Sequence, residues 1–121
     1  MSANTLCWTD IPVTDLDRAI KFYSAVLGKK VSKESAEGFE FGLLPHEGEE
    51  SAGCLVVSEE NKPSQTGPLI YLSVDGRLDD AIKAARANSG KVLQKKESIG
   101  PHGFRAIVLD SEGNRIALHS S

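Results

Sequence analysis

The alternation of apolar and polar residues predicts one clearly bounded helix near the start of the chain. Residues 12–28 (PVTDLDRAIKFYSAVLG) have the pattern of a strand end, an amphipathic helix and a glycine stop. Asp15 is a suitable N-cap, because its carboxylate can accept hydrogen bonds from the free N–H groups of a first helical turn. Gly28 can adopt the left-handed conformation that ends a helix. The helical spacing places one set of apolar residues on a buried face: Leu16, Ala19, Ile20, Tyr23 and Leu27.

A weaker copy of this pattern begins 62 positions later. Residues 17–21 (DRAIK) resemble residues 79–83 (DDAIK), and the Gly-Lys pair at 28–29 corresponds to that at 90–91. Strand-like runs follow each helix in the same order. We therefore predict two tandem β-α-β-β-β modules, about 1–60 and about 66–121, within a single domain covering 1–121. The polar segment 59–67 (EENKPSQTG) is the predicted linker.

Period-two alternation and, at 52–58 and 104–109, continuous apolar runs predict the strands of both modules. They are expected at 6–13, 30–33, 38–44, 52–58, 68–74, 92–98, 104–109 and 115–119, with a loop at 45–51. In the first strand, Ile11 and Val13 share one face, and Trp8 and Asp10 share the other. Because Trp8 is large and apolar, this second face is predicted to line a cavity. The charges of 92–98 are typical of an edge strand.

Composition narrows the range of functions. With 121 residues, 40% of them hydrophobic, the chain can bury a core, and its net charge of −3 gives no electrostatic basis for binding nucleic acid or anionic membranes. No apolar run is long enough to span a bilayer. The first five residues (MSANT) lack the features of a signal peptide, which predicts a cytoplasmic protein. Cys7 and Cys54, both in apolar runs, are predicted to be reduced and buried.

Two motifs resemble the vicinal oxygen chelate superfamily, which includes glyoxalase I, bleomycin-resistance proteins and extradiol dioxygenases. One is the segment 11–28, with its Phe-Tyr and Leu-Gly pairs, and the other is the turn 110–114 (DSEGN) followed by 116–118. The family usually has proline where Ser111 stands. The resemblance implies an α+β fold in which the two modules form a curved mixed sheet around a concave cavity.

The same resemblance implies where a metal would be bound in family members that use one. The ligand positions correspond to Trp8, Leu69 and Ala117, with the remaining one within 54–57. None of these residues is a carboxylate or a histidine, so no metal ligand is assigned and no cofactor is expected. Asp10 is the one residue near these positions whose side chain could supply an oxygen ligand to a metal.

An apolar and aromatic pocket with a few polar groups is the expected result, and this is typical of a small-molecule site. The predicted ligand-binding residues are Trp8, Asp10, Leu69, Tyr71, Arg105 and His119. Trp8 and Tyr71 would stack on a flat ligand, whereas Asp10, Arg105 and His119 would hold its polar atoms. The alternatives are core or interface packing for the two aromatic residues, an ion pair for Asp10 and Arg105, and a surface position for His119.

The preferred hypothesis is a metal-independent small-molecule-binding protein that holds its ligand in the cavity of a homodimer. The acidic net charge weakly favours a cationic ligand. The alternative is a metal-dependent glyoxalase-like lyase or a dioxygenase-related enzyme, and no catalytic residue is assigned. A third hypothesis is a sensing or structural module that acts with a partner protein. Fold alone does not choose among these.

Overall fold

The computed structural model describes residues 5–48 and 52–121, which form two helices, eight strands and a short 3-10 turn. The elements are β1 (Trp8–Pro12), α1 (Leu16–Leu27), β2 (Ser32–Ala36), β3 (Phe39–Leu43), β4 (Ala52–Val56), β5 (Ile70–Ser73), α2 (Leu78–Ala87), β6 (Lys91–Ser98), the 3-10 turn Gly100–His102, β7 (Phe104–Leu109) and β8 (Arg115–Ser120). Residues 1–4 of the segment used for the localisation prediction, and 49–51 of the predicted loop, lie outside the described residues.

The strands form two four-stranded sheets of the same topology. The first has the order β1-β4-β3-β2 and the second β5-β8-β7-β6; in each, the first pair is parallel and the other pairs are antiparallel. The helices begin 62 positions apart, at Leu16 and Leu78. The predicted α+β fold and the order of elements are confirmed, and β6 is an edge strand as expected.

The ends of α1 follow the sequence pattern. The Asp15 carboxylate accepts a hydrogen bond from the Arg18 N–H, and Gly28 takes the left-handed conformation with φ of 68°. The buried face differs from the prediction, because Phe22 and Val26 are fully buried whereas Ile20 is only half-buried. The reason is that α1 packs against α2 as well as against its own sheet, so a wider part of the helix is covered.

Each sheet packs one face against the helices and leaves the other, here called its open face, without a covering layer. Ile11, Leu55, Val108 and Leu118 belong to the common core on the helix side. Trp8 points to the open face of the first sheet and remains 48% exposed. The predicted division of the first strand into a buried face and an open face is therefore confirmed.

The structure tests three local predictions. The short strand expected to begin within 30–33 begins at Ser32 and extends to Ala36, because the chain turns after Gly28 and Val31 is buried in the core. Cys7 is exposed rather than buried, since regular strand pairing begins only at Trp8. Cys54 is buried as expected.

The two modules pair within the chain through a buried polar cluster. The Tyr23 hydroxyl of α1 donates to the Asp110 carboxylate at 2.5 Å, and Asn114 Nδ2 donates to the Pro12 carbonyl at 2.7 Å. Burial, followed by the proximity of Asp110, raises the pKa of Tyr23 well above its usual value. The phenol therefore stays protonated and acts as a donor. The 110–114 turn thus connects β7 and β8 to the first module.

Among the described residues, neither helix is long and apolar enough to cross a membrane.

Candidate functional site

A pocket of about 510 Å³ lies on the open face of the second sheet. Its lining residues are Tyr71, Ile99, His102, Arg105 and His119. Strand register explains how three of them meet. Arg105 of β7 pairs with His119 of β8, and Tyr71 of β5 lies one strand beyond, opposite Ala117.

Arg105 has contacts on two sides of the pocket. Its Nε donates to Glu97 Oε1 at 3.3 Å, and its Nη1 donates to the Tyr71 hydroxyl oxygen. The hydrogen bond to Tyr71 has the largest effect and raises the pKa of Arg105 above its usual value; burial opposes this shift, and Glu97 adds to it. The guanidinium carbon also lies 5.9 Å from the centre of the Tyr71 ring. The pocket therefore contains a positioned, permanently charged cation.

His119 is held by the backbone of the turn between β6 and β7. Its Nε2 lies 2.6 Å from the His102 carbonyl oxygen, which can only accept, so Nε2 carries a proton. In the neutral ring, Nδ1 is then an acceptor. The His119 ring stands edge-on to Tyr71, with 6.4 Å between ring centres. The N–H donors of Arg105 and the acceptor nitrogen of His119 therefore lie beside the aromatic ring of Tyr71.

Trp8 and Asp10 form a separate cluster on the open face of the first sheet. The indole Nε1 donates to Asp10 Oδ1 at 3.0 Å, and the Cys54 thiol lies 3.4 Å from the same oxygen. Burial, followed by the hydrogen bond and charge of Asp10, raises the pKa of Cys54 to about 11. Cys54 is therefore a protonated thiol at neutral pH, and Asp10 holds the orientation of Trp8.

The structure thus divides the predicted site residues into two groups. Tyr71, Arg105 and His119 meet in one pocket, whereas Trp8 and Asp10 lie together on the other sheet. Leu69 is half-buried just before β5 and does not line the pocket.

The sequence analysis missed two residues that line the pocket, Ile99 and His102, and also Glu97, which contacts Arg105. The side chain of His102 is exposed, and its backbone carbonyl oxygen orients the His119 ring. Glu97 lies directly opposite Arg105 in the pairing of β6 with β7. The opposite charges of Glu97 and Arg105, on two strands in sequence, could have indicated this contact. The register of β6 is irregular, however, so the pairing of the two residues could not be worked out by counting positions.

The residues present do not fit the metal centre that the resemblance implies. Trp8 and Ala117 point to the open faces of the two sheets, where ligands would have to project, and neither carries a donor atom for a divalent metal. Asp10 accepts from Trp8 and Cys54, and the Cys54 thiol is held in its protonated form. Among residues 5–48 and 52–121, no three His, Cys, Asp or Glu side chains cluster as a metal site would require.

Comparison with known proteins identifies the family. The chain matches the model of the Glyoxalase/Bleomycin resistance protein/Dioxygenase superfamily over residues 5–118 and belongs to that family. It is 34% identical to a glyoxylase-like domain-containing protein of Didymella fabae, covering 90% of this chain and 88% of the relative. It is 31% identical to the putative glyoxylase CFP32 of Mycobacterium bovis, with 90% of this chain covered but only 41% of the relative.

Solved structures share the fold at low sequence identity. A glyoxalase/bleomycin resistance protein from Albidiferax ferrireducens T118 has a TM-score of 0.72 and 19% identity, covering 98% of this chain and 100% of that one. TnmS3, an antibiotic-binding protein from Streptomyces sp. CB03234, has a TM-score of 0.72 and 20% identity, covering 99% and 98%. At these identities the similarity establishes the fold.

Proposed function

We propose that this protein is a metal-independent, cytoplasmic small-molecule-binding protein that holds its ligand against Tyr71, Arg105 and His119. The observation that carries the proposal is the pocket itself: an exposed aromatic ring, a positioned guanidinium and an oriented imidazole surround about 510 Å³. A concave, partly apolar site with a few convergent polar groups is typical of small-molecule binding.

The chemistry of the donor set favours binding over metal-assisted catalysis. A glyoxalase-like or dioxygenase-like reaction of the family type requires a divalent metal, and Trp8, Leu69 and Ala117 offer no ligand for one. The antibiotic-binding protein TnmS3 has the same fold. The names of the curated relatives favour the enzymatic alternative instead, so the two hypotheses must be separated by experiment.

A homodimer would complete the site. Trp8 and Phe39 expose large apolar surfaces on the open face of the first sheet, and Tyr71 is an exposed aromatic residue on the open face of the second. The burial of these surfaces favours an arrangement in which the first sheet of one copy covers the second sheet of the other. A two-fold axis would create two equal sites, each with Trp8 from the neighbouring copy.

Tryptophan fluorescence provides the test, because Trp8 is the only tryptophan in the chain. Naphthalene derivatives of different charge would be titrated into the protein with and without EDTA. The proposal predicts saturable quenching of Trp8 that EDTA does not change and that Tyr71→Ala weakens. Arg86→Gln, which alters an exposed residue of α2, is the matched control.

Two results would contradict the proposal. One is binding that disappears with EDTA and returns with a divalent metal, which would support the metal-dependent enzyme. The other is the absence of saturable binding for every probe. Saturable heat release in calorimetry without a change in Trp8 emission would retain the pocket but reject the proposed dimer arrangement.

A further inference from the structure

The pocket on the second sheet is lined by a cation, although the chain as a whole is acidic. The protein carries a net charge of −3, yet none of the pocket-lining residues Tyr71, Ile99, His102, Arg105 and His119 is a carboxylate. Arg105 supplies a permanent positive charge. Glu97 offsets part of this charge from one side, with its carboxylate 3.3 Å from Arg105 Nε. More distant exposed carboxylates have less influence on a ligand in contact with Arg105, because exposed charges are screened within about 10 Å at ordinary salt.

The remaining hydrogen-bonding capacity of Arg105 determines what it can hold. Its Nε is directed to Glu97 and one Nη1 hydrogen to Tyr71, while Nη2 has no protein partner among the described residues. A guanidinium with free N–H groups binds carboxylates and other oxyanions through short, directional hydrogen bonds. Because Tyr71 accepts from Arg105, its own hydroxyl proton also remains available to an oxygen of the ligand.

The shape of the pocket adds a requirement for a flat ligand. The side chain of Tyr71 is 47% exposed, and the His119 ring stands edge-on beside it at 63°. Ile99 supplies an apolar surface. Aromatic rings in this arrangement favour a further ring in stacked or edge-to-face contact.

We propose that the pocket selects planar aromatic anions, with the anionic oxygen on Arg105 and the ring against Tyr71. This inference rests on the proposed function, since it names the ligand class of the same site. Glu97 is then a specificity-determining residue: its carboxylate lies 3.3 Å from Arg105 Nε and competes with the ligand's oxyanion for the guanidinium. Gln94 Nε2 donates to the other oxygen of Glu97 at 3.2 Å and keeps that side chain in place.

Three probes of equal size and different charge test the proposal by isothermal titration calorimetry at low salt. They are 2-naphthoate, 2-naphthalenemethanol and 2-naphthylmethylammonium. We expect 2-naphthoate to bind roughly tenfold or more tightly than the other two. Arg105→Gln should remove this preference, whereas Arg86→Gln, with the same loss of charge on an exposed helix residue, should retain it. Glu97→Gln should strengthen 2-naphthoate binding severalfold.

The outcomes separate this inference from the proposed function. If the alcohol or the ammonium compound binds as tightly as 2-naphthoate, the anion preference is wrong and the binding function stands. If Arg105→Gln and Arg86→Gln weaken 2-naphthoate equally, its oxyanion is not held by Arg105. If no probe saturates the protein, the proposed function fails together with this inference.

Discussion

Both carboxylate oxygens of Glu112, in the second module, accept hydrogen bonds from the guanidinium of Arg18, in the first. Arg18 Nε lies 2.7 Å from Oε2, and Arg18 Nη2 lies 2.9 Å from Oε1. The Oε1 atom also accepts from the backbone N–H groups of Thr14 and Asp15, at the start of α1. A carboxylate at this position neutralises the positive end of the helix dipole. One side chain therefore joins the two modules and caps a helix.

This relationship predicts how stability depends on pH. Burial alone would raise the pKa of Glu112, but hydrogen bonds from Arg18, Asp15, Ser111 and Thr14 outweigh it and lower the pKa from 4.5 to about 2. Because the folded-state pKa is depressed, the stabilisation is complete above pH 4.5 and disappears as the pH falls towards 2.

Glu112→Gln should lower the free energy of unfolding by about 1–2 kcal/mol at pH 7, allowing for the partial solvent screening of the pair. Urea unfolding of both proteins from pH 7 to pH 2.5 measures the effect. The difference between wild type and variant should shrink below pH 4.5. A constant difference across this range would show that the lost stability does not depend on the ionisation of Glu112.

The hydroxyl of Tyr23 is expected to matter more than that of Tyr71. Tyr23→Phe removes a buried donor to Asp110, and the free energy of unfolding should fall by about 1–2 kcal/mol. Tyr71→Phe changes an exposed residue and should leave stability within about 0.5 kcal/mol of wild type. Equal effects of the two substitutions in thermal unfolding would contradict the role assigned to the buried cluster.

Gly28 is favoured by its backbone conformation and by the guanidinium of Arg77 beside it. Its φ of +68° disfavours any side chain, and an added Cβ would lie 2.8 Å from Arg77 Cζ. That guanidinium donates to the Val26 carbonyl at the end of α1, at 2.5 Å. Gly28→Ala should therefore cost about 1–2 kcal/mol from backbone strain, together with a further loss as Arg77 is displaced.

Gly76→Ala is the matched control for the substitution at Gly28. Gly76 has a similar φ of +76°, but an added Cβ would meet nothing within 4 Å. The difference in unfolding free energy between the two variants isolates the loss of the Arg77 contact. A Gly76→Ala variant as unstable as Gly28→Ala would show that Arg77 contributes nothing measurable.

The two cysteines should differ sharply in reactivity. Cys7 is exposed, whereas Cys54 is buried and the pKa of its thiol is raised to about 11. Because the thiolate is the reactive form, a thiol reagent at pH 7.5 should modify Cys7 quickly and Cys54 only after unfolding. Cys7→Ser should abolish the fast phase. Two fast thiols in the native protein would contradict the protected, protonated state assigned to the Cys54 thiol beside Asp10.

Local chemistry made the framework predictable. The Asp15 cap, the Gly28 stop and the apolar strand at 104–109 depend on near neighbours, and the structure confirms all three. The open-face position of Tyr71 followed from alternation with period two, whereas that of Arg105 depended on which face of its almost wholly apolar strand meets the helices. The Glu112–Arg18 pair spans 94 positions, and its partners cannot be recognised from local spacing.

The composition of the site could be predicted only in part. Alternation assigns Trp8 and Tyr71 to the open faces of their sheets. It does not show that Trp8 and Tyr71 belong to two separate groups of residues, one on each sheet. Similarly, His119 is oriented by a backbone carbonyl of His102, a contact that depends on the path of the turn between β6 and β7 rather than on residue type. Phe22 was missed because the spacing of apolar residues along α1 predicts one buried face. It does not show that α2 covers a further part of the helix.

Native mass spectrometry of protein purified without chelators or affinity metal tests the central proposal most directly. One spectrum reports the number of chains, any bound metal and any small molecule retained from the cell. The account predicts a mass of two chains without a divalent ion, alone or with an organic molecule. One tightly held divalent ion per chain would contradict it and would favour the metal-dependent glyoxalase-like enzyme.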